Sequence, residues 1–79
     1  MGHMFDWNDL RFFLAVARTG STLAAGRSLK VAQATVSRRI TMLEEGLGTP
    51  LFVRSPSGYT LSVRGQAMLP HAEAVEREV

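Results

Sequence analysis

Four polar residues close together in the sequence have side chains that can read the edges of base pairs: Gln33, Thr35, Ser37 and Arg38. Glutamine and arginine form paired hydrogen bonds with adenine and guanine in the major groove, and hydroxyl groups bond bases or phosphates. At 100° per residue, Arg38 lies opposite the apolar side of a helix through this segment, with Ser37 at the edge. The pattern predicts a helix that enters a major groove, although an ordinary amphipathic helix with a solvated polar face would share it.

This helix is predicted from about Gln33 to Gly46, because four apolar residues fall on one narrow face: Val36, Ile40, Leu43 and Leu47. A shorter helix is predicted before it, capped by Ser21 and ending near Leu29. Its Gly26 is small and would let the following helix approach closely. The two helices are joined by only three residues, 30–32, so together they have the layout of a helix-turn-helix.

A first helix and a hairpin complete the predicted domain. Apolar spacing predicts a helix from about Trp7 to Thr19, which Asp6 or Asn8 can cap. After Gly48 the period changes, and residues 51–54 and 59–61 are predicted as two strands joined by a turn. So short a hairpin must pack on helices, as a wing does. The predicted fold class is mainly α with a short β-hairpin, a winged helix-turn-helix.

Arg54 lies at the tip end of the first predicted strand and is the only basic residue between Arg39 and Arg64. Its guanidinium could bond a phosphate or enter a minor groove, where narrow A·T tracts concentrate negative potential. A surface arginine that solvates an edge strand is an equally weighted alternative.

A last helix, which Ser62 can cap, is predicted to run to the end of the sequence, with Pro70 inside it. Its apolar stripe is spaced i, i+4, i+7, i+11: Met68, Ala72, Val75 and Val79. The stripe would pack either on the domain or on a second chain. The seam between two chains is favoured, because the stripe is longer than a domain of this size needs.

Charge and composition reduce the number of functions that the sequence could have. The 79 residues include no cysteine and two histidines, which disfavours catalysis and a metal site, and the apolar runs are too short for a membrane span. Eight of the nine lysines and arginines lie within residues 10–72, against two glutamates, which favours a polyanionic partner such as nucleic acid. Residues 1–4 are typical of a vector-derived extension, and the uncapped last helix predicts a piece of a longer protein. Without a signal peptide, a cytoplasmic location is expected.

A series of motifs extends over almost the whole chain after residue 4: Leu10-Arg11-Phe12-Phe13-Leu14-Ala15-Val16-Ala17, Gly20-Ser21, Ala24-Ala25, Leu29, Gln33, Val36-Ser37-Arg38, Ile40, Leu43-Glu44-Glu45, Leu47-Gly48, Pro50-Leu51-Phe52, Arg54 and Leu61-Ser62 with Gly65. Together they resemble the N-terminal DNA-binding domain of LysR-type transcriptional regulators. The resemblance implies a winged helix-turn-helix at residues 5–61, followed by a linker helix that begins at residues 62–79. It implies a bacterial regulator of transcription that binds specific sequences of double-stranded DNA.

The resemblance also implies partners and contact residues. The family's linker helix forms a homodimer, with a tetramer as a further assembly of the full-length protein. A C-terminal domain outside this sequence would bind a small-molecule inducer, and no cofactor is expected in the piece given. The family's DNA-contacting positions fall on six residues: Gln33, Ala34, Thr35, Ser37, Arg38 and, in the wing, Arg54.

Two departures from the family pattern lie in the predicted helix-turn-helix, one at the start of each helix. Many members begin the recognition helix with Ser-Gln-Pro, where this chain has Ala32-Gln33-Ala34. Ala32 cannot cap, which costs about 1 kcal/mol, so Thr35 or DNA would have to hold the start of the helix. Thr22 stands where an aromatic residue is usual, and a smaller core is expected there.

Two other functions fit the same sequence. One is a winged-helix repressor of another family, and the other is a helical protein–protein adaptor that uses the stripe of the last helix. Steep salt dependence of DNA binding would exclude the adaptor, because counterion release accompanies phosphate contacts.

Overall fold

The computed structural model describes residues 6–79, which form four helices and a two-stranded antiparallel sheet. The elements are α1 (Trp7–Thr19), α2 (Thr22–Leu29), α3 (Gln33–Leu47), β1 (Phe52–Ser55), β2 (Gly58–Leu61) and α4 (Val63–Glu78). All six were predicted, and the ends of α3, α4 and the two strands differ from the predicted bounds by no more than one residue each. The interpretation of residues 1–4 lies outside the described residues.

Short polar side chains begin three of the helices. Asp6 accepts a hydrogen bond from the Asp9 amide at 3.0 Å, and Ser21 accepts one from the Ala24 amide at 2.9 Å. The Ser62 hydroxyl accepts one from the Gly65 amide at 3.0 Å and donates to the Pro50 carbonyl at 2.8 Å. The cap of α4 therefore also ties this helix to the loop before β1.

The start of α3 is held differently, because Ala32 provides no side-chain cap. The predicted close packing at Gly26 is present: a Cβ at this position would lie 2.7 Å from the Val31 carbonyl oxygen. It would also lie 3.4 Å from the Gln33 amide nitrogen. Only glycine lets α2 come this near, so backbone contact between α2 and the turn fixes where α3 begins.

The core is built around α1, which contributes six of the thirteen buried apolar residues within residues 6–79, more than any other element. Phe13 is fully buried, and its ring centroid lies 5.5 Å from that of Phe52 at the start of the hairpin. The Phe52 ring in turn lies 5.8 Å from Tyr59 on the opposite strand. Aromatic pairs at these separations contribute about 0.5–1.5 kcal/mol each beyond the area they bury. The hairpin is thus attached to the helical core through rings.

α4 packs along α1, and it continues without a break through Pro70. Ala72 is fully buried in the core of its own chain, and Met68 and Val75 are half-buried against that core, whereas Val79 is 72 % exposed. The structure corrects the assignment of Ala72 to a seam between two chains, because the domain already encloses its side chain. Met68 and Val75 also face the domain. No helix within residues 6–79 has the length and apolar character needed to cross a bilayer.

Candidate nucleic-acid interface

The first two turns of α3 present a polar surface on the side away from the core. Gln33, Ala34 and Arg38 are exposed, and Thr35 and Ser37 are half-buried. On the opposite side of the helix, three apolar residues are buried: Val36, Ile40 and Leu43. The sequence predicted this division of the helix. All five predicted contact residues of α3 therefore lie on one short, accessible segment.

Arg38 and Arg39 are neighbours in α3 with different surroundings. Arg38 forms no ion pair with any residue from 6 to 79. The Arg39 guanidinium lies 3.9 Å from the Asp9 carboxylate and 5.7 Å from the centroid of the Phe12 ring, both in α1. Arg39 therefore helps to pack α3 on α1, while the guanidinium of Arg38 has its donors free for an external acceptor.

Gln33 contacts a residue that was not predicted to have a site role. Its Nε2 donates a hydrogen bond to the Thr22 hydroxyl oxygen at 3.0 Å. Thr22 opens α2 and is 5 % exposed. The sequence offered one signal for this contact, the hydroxyl residue Thr22 where the family usually has an aromatic ring. By itself, this signal indicates only a smaller core.

The wing holds its arginine by contacts within the chain. The Arg54 guanidinium donates to the Glu44 carboxylate at 3.1 Å and lies 5.2 Å from the centroid of the Tyr59 ring, while half of its side chain remains exposed. Tyr59 is the antiparallel partner of Arg54 across the hairpin. The structure thus places the Arg54 guanidinium beside a carboxylate, and a DNA contact would have to share or replace this partner.

Glu44 was noted in the sequence only as part of a motif, and the structure gives it a positioning role. One carboxylate oxygen accepts the backbone amides of Leu51 at 2.8 Å and Phe52 at 3.2 Å, and the other accepts Arg54. A side chain of α3 therefore fixes both the start of β1 and the arginine of the wing. Nothing in the local pattern indicated this, since the contacts span seven to ten residues across a loop.

Further exposed cations lie near the helix-turn-helix. Arg27 is in α2, and Lys30 follows it in the turn. Neither forms an ion pair within the described part of the chain. With Arg38, they leave uncompensated positive charge around α2 and the start of α3, whereas the charge of the wing arginine is balanced by Glu44.

The sequence matches a family model described as "Bacterial regulatory helix-turn-helix protein, lysR family" over residues 7–66. The chain belongs to this family. Two curated LysR-like relatives are similar to it. The HTH-type transcriptional activator AmpR of Providencia stuartii is 47% identical over 68 residues, which are 86% of this chain and 23% of AmpR. The HTH-type transcriptional regulator CzcR of Bacillus thuringiensis (strain Al Hakam) is 37% identical over 76 residues, 96% of this chain and 26% of CzcR. This LysR-family chain spans about a quarter of the length of either relative.

Solved structures of the LysR family share the fold. The DNA-binding domain of CbnR in complex with DNA superposes with a TM-score of 0.87 at 34% identity, covering 92% of this chain and 84% of that one. The DNA-binding domain of BenM in complex with benA site 1 DNA has a TM-score of 0.89 at 30% identity, covering 94% and 83%. The predicted winged helix-turn-helix is confirmed, with β1 and β2 as the wing.

Proposed function

We propose that this LysR-family domain binds specific sequences of double-stranded DNA and regulates transcription in the bacterial cytoplasm. The observation that carries the proposal is the exposed Arg38 on the polar side of α3, which has no ion pair within residues 6–79, with Val36 and Ile40 buried behind it. A rigid helix that presents a free guanidinium and polar neighbours is suited to a major groove. The fold shared with the DNA complexes of CbnR and BenM supports the same proposal.

Each predicted contact residue of α3 has a role that its chemistry supports. Gln33 contacts a base edge, and Arg38 bonds guanine O6 and N7 or clamps a phosphate. Thr35 and Ser37 donate to phosphates, which fixes the register of the helix on DNA. Ala34 adds a small apolar surface at the first turn, where a thymine methyl group would fit.

Arg54 contributes from the wing, either to a phosphate or inside a narrow minor groove. Its hydrogen bond to Glu44 reduces this contribution, since DNA must compete with a carboxylate 3.1 Å away. The wing therefore adds less binding free energy than the recognition helix α3.

Selection of bound sequences from a random DNA pool tests the DNA-binding proposal, followed by titration of the selected site at several salt concentrations. We expect enrichment of a defined sequence and an affinity that falls steeply with salt. Binding without sequence enrichment would contradict specific recognition, and the absence of any salt-dependent binding would favour the protein–protein adaptor instead.

We also propose that two chains associate through α4, within a longer protein whose C-terminal domain binds a small-molecule inducer and which can form a tetramer. The exposed side of α4 offers Ala67 and Ala74, and the relatives are about four times as long as this chain. Sedimentation at high protein concentration is expected to show a weak dimer that Ala74→Glu abolishes. Val75→Glu should instead lower thermal stability, because Val75 packs on the core. A monomer at every concentration would contradict association through this segment.

A further inference from the structure

We infer that Thr22 is a positioning residue that orients the Gln33 amide toward DNA and thereby makes α3 prefer adenine at the base pair facing Gln33. The inference rests on the proposed function, since it requires Gln33 to contact a base. Its basis is a single hydrogen bond with unusual surroundings, in which a buried hydroxyl of α2 holds an exposed side chain of α3.

Thr22 is well placed to fix another side chain. It is the only polar or charged residue that is buried within residues 6–79, at 5 % exposure. Its own backbone is rigid, because Thr22 is the first residue of α2 and the preceding Ser21 caps that helix. The backbone of Gln33 is equally constrained, since a Cβ on Gly26 would already lie 3.4 Å from its amide nitrogen. The backbone at both ends of the hydrogen bond is therefore fixed, at Thr22 by the capped start of α2 and at Gln33 by the close approach to Gly26.

The hydrogen bond selects which amide groups remain for DNA. A glutamine amide has two N–H donors and one carbonyl acceptor, and Thr22 uses one N–H. One donor and one acceptor remain, side by side, which is the pair that adenine N7 and N6–H₂ require. Guanine presents two acceptors, O6 and N7, and the remaining donor could satisfy only one of them. Orientation by Thr22 thus favours adenine over guanine.

The same hydrogen bond restricts the rotamers of Gln33 before DNA binds. A free glutamine must be ordered on binding, and that loss of rotamer entropy opposes association. With Nε2 already bonded to Thr22, less freedom remains to be lost at the correct base pair. At a wrong base pair the amide must break the Thr22 bond to adapt. The expected result is a larger difference in affinity between the two base pairs.

The test compares Thr22→Val, which removes the hydroxyl and keeps the branched shape, with Thr22→Ser, which keeps the hydroxyl. Gln33→Ala first identifies the base pair in the selected site at which preference disappears. At that base pair, Thr22→Val is expected to reduce the preference for adenine about fivefold to tenfold, and Thr22→Ser to retain it. Affinity for random DNA and the thermal midpoint should change little. Thr22→Val added to Gln33→Ala should have no further effect on preference, because the two residues act as one unit.

The outcomes separate this inference from the proposed function. If Gln33→Ala leaves every base preference unchanged, Gln33 is not a base contact and that part of the proposed function fails. If Gln33→Ala removes a preference that Thr22→Val retains, only the role of Thr22 is overturned. A preference for guanine at this base pair would also overturn the role of Thr22. Both N–H donors of Gln33 would then face guanine, and the Thr22 hydroxyl would donate to the amide oxygen instead of accepting from Nε2. An equal loss on all DNA, with a lower thermal midpoint, would make Thr22 purely structural.

A measurement on the unaltered protein gives an independent check without any variant. In the free protein, the Nε2 protons of Gln33 should exchange with water more slowly than those of Gln66, which is exposed on α4. Hydrogen exchange of side-chain amides, followed by nuclear magnetic resonance, compares the two glutamines in one sample. Equal exchange rates would mean that the Thr22–Gln33 bond is not maintained in solution, which would overturn the inference.

Discussion

Arg38 of α3 and Arg54 of the wing are both surface arginines, but the structure gives a carboxylate partner to only one of them. Within residues 6–79, Arg38 has no ion pair, whereas Arg54 bonds Glu44 at 3.1 Å and lies over the Tyr59 ring. An exposed donor exchanges water for a DNA acceptor, whereas Arg54 must also give up part of its ion pair with Glu44, so Arg38 gains more from the same kind of contact. Two arginines can therefore contribute differently to DNA binding according to the contacts that each already has within the chain.

The backbones of the two regions also differ in how they are fixed. The start of α3 has no side-chain cap and depends on the close approach at Gly26. The wing is held by Glu44, by the Ser62 cap and by close packing of Gly65 against the Leu51 carbonyl. The start of α3, which precedes Arg38, therefore has fewer hydrogen bonds from side chains to its backbone than the wing, which carries Arg54.

The largest expected effect comes from breaking the packing beneath the wing with Gly65→Ala. The new methyl group would overlap the Leu51 carbonyl oxygen, which is backbone and cannot move aside cheaply. We expect the free energy of unfolding in urea to fall by about 3 kcal/mol. Gly46→Ala is the matched control, because Gly46 is exposed in α3 and alanine should add up to about 1 kcal/mol there. Equal stability of the two variants would contradict the tight packing at Gly65.

The second largest effect is expected from removing Arg38, which has no ion pair within residues 6–79. Arg38→Ala is expected to weaken binding to the selected site by about 1–3 kcal/mol and to relax preference at one base pair. Titration of selected and random DNA measures both effects, and Arg77→Ala, near the end of α4, serves as the control for a lost surface charge. An equal loss on both DNAs would make Arg38 a phosphate contact, and no loss would exclude the polar side of α3 as the interface.

A smaller effect is expected in the wing, where Arg54→Ala should flatten the slope of log K against log salt by roughly one unit. The loss should be larger with A·T-rich than with G·C-rich flanking DNA, because narrow minor grooves attract arginine. Equal losses on the two flanks would contradict a minor-groove role.

Glu44→Gln removes the negative charge that Arg54 contacts, so that Arg54, like Arg38, no longer has a carboxylate partner. The amide oxygen can still accept the Leu51 backbone amide, while the guanidinium loses its anionic partner. Arg54→Ala should then be more damaging to DNA binding than in the unaltered protein, by less than about 1 kcal/mol, the usual range for an exposed ion pair. Identical losses in both backgrounds would show that Glu44 does not restrain the arginine.

The smallest effect concerns α4, whose Glu76 receives two hydrogen bonds from Arg18 of α1, at 2.7 and 2.8 Å. These bonds lower the pKa of Glu76 below its ordinary value. A lowered carboxyl pKa stabilises the folded chain at neutral pH, and this contribution is lost as the pH falls through the lowered value. The unaltered protein should therefore melt slightly higher than Glu76→Gln at neutral pH, and the difference should vanish in strong acid. Glu78→Gln, at the end of the same helix, removes a carboxylate that forms no ion pair within residues 6–79 and serves as the control for a lost surface charge.

The sequence predicted what depends on local spacing and missed what depends on packing between elements. The apolar residues of α3 repeat at helical intervals, so both its bounds and its exposed side could be derived. The Arg54–Glu44 and Thr22–Gln33 contacts join side chains ten and eleven residues apart through a loop and a turn, and no periodicity records them. In α4 the stripe revealed an apolar face but not what covers it, and Ala72 proved to be covered by its own domain.

Leu51 links α3 to the start of α4 through its two backbone hydrogen bonds. Its N–H is held by Glu44 of α3, and its carbonyl accepts the Ser62 amide just before α4, at 2.9 Å. A force on the far end of α4 would act first on α1, which Glu76 contacts through Arg18, whereas a force on the start of α4 would act on Leu51. Displacing the start of α4 would therefore shift Leu51 relative to Glu44, and so move the base of the wing relative to α3.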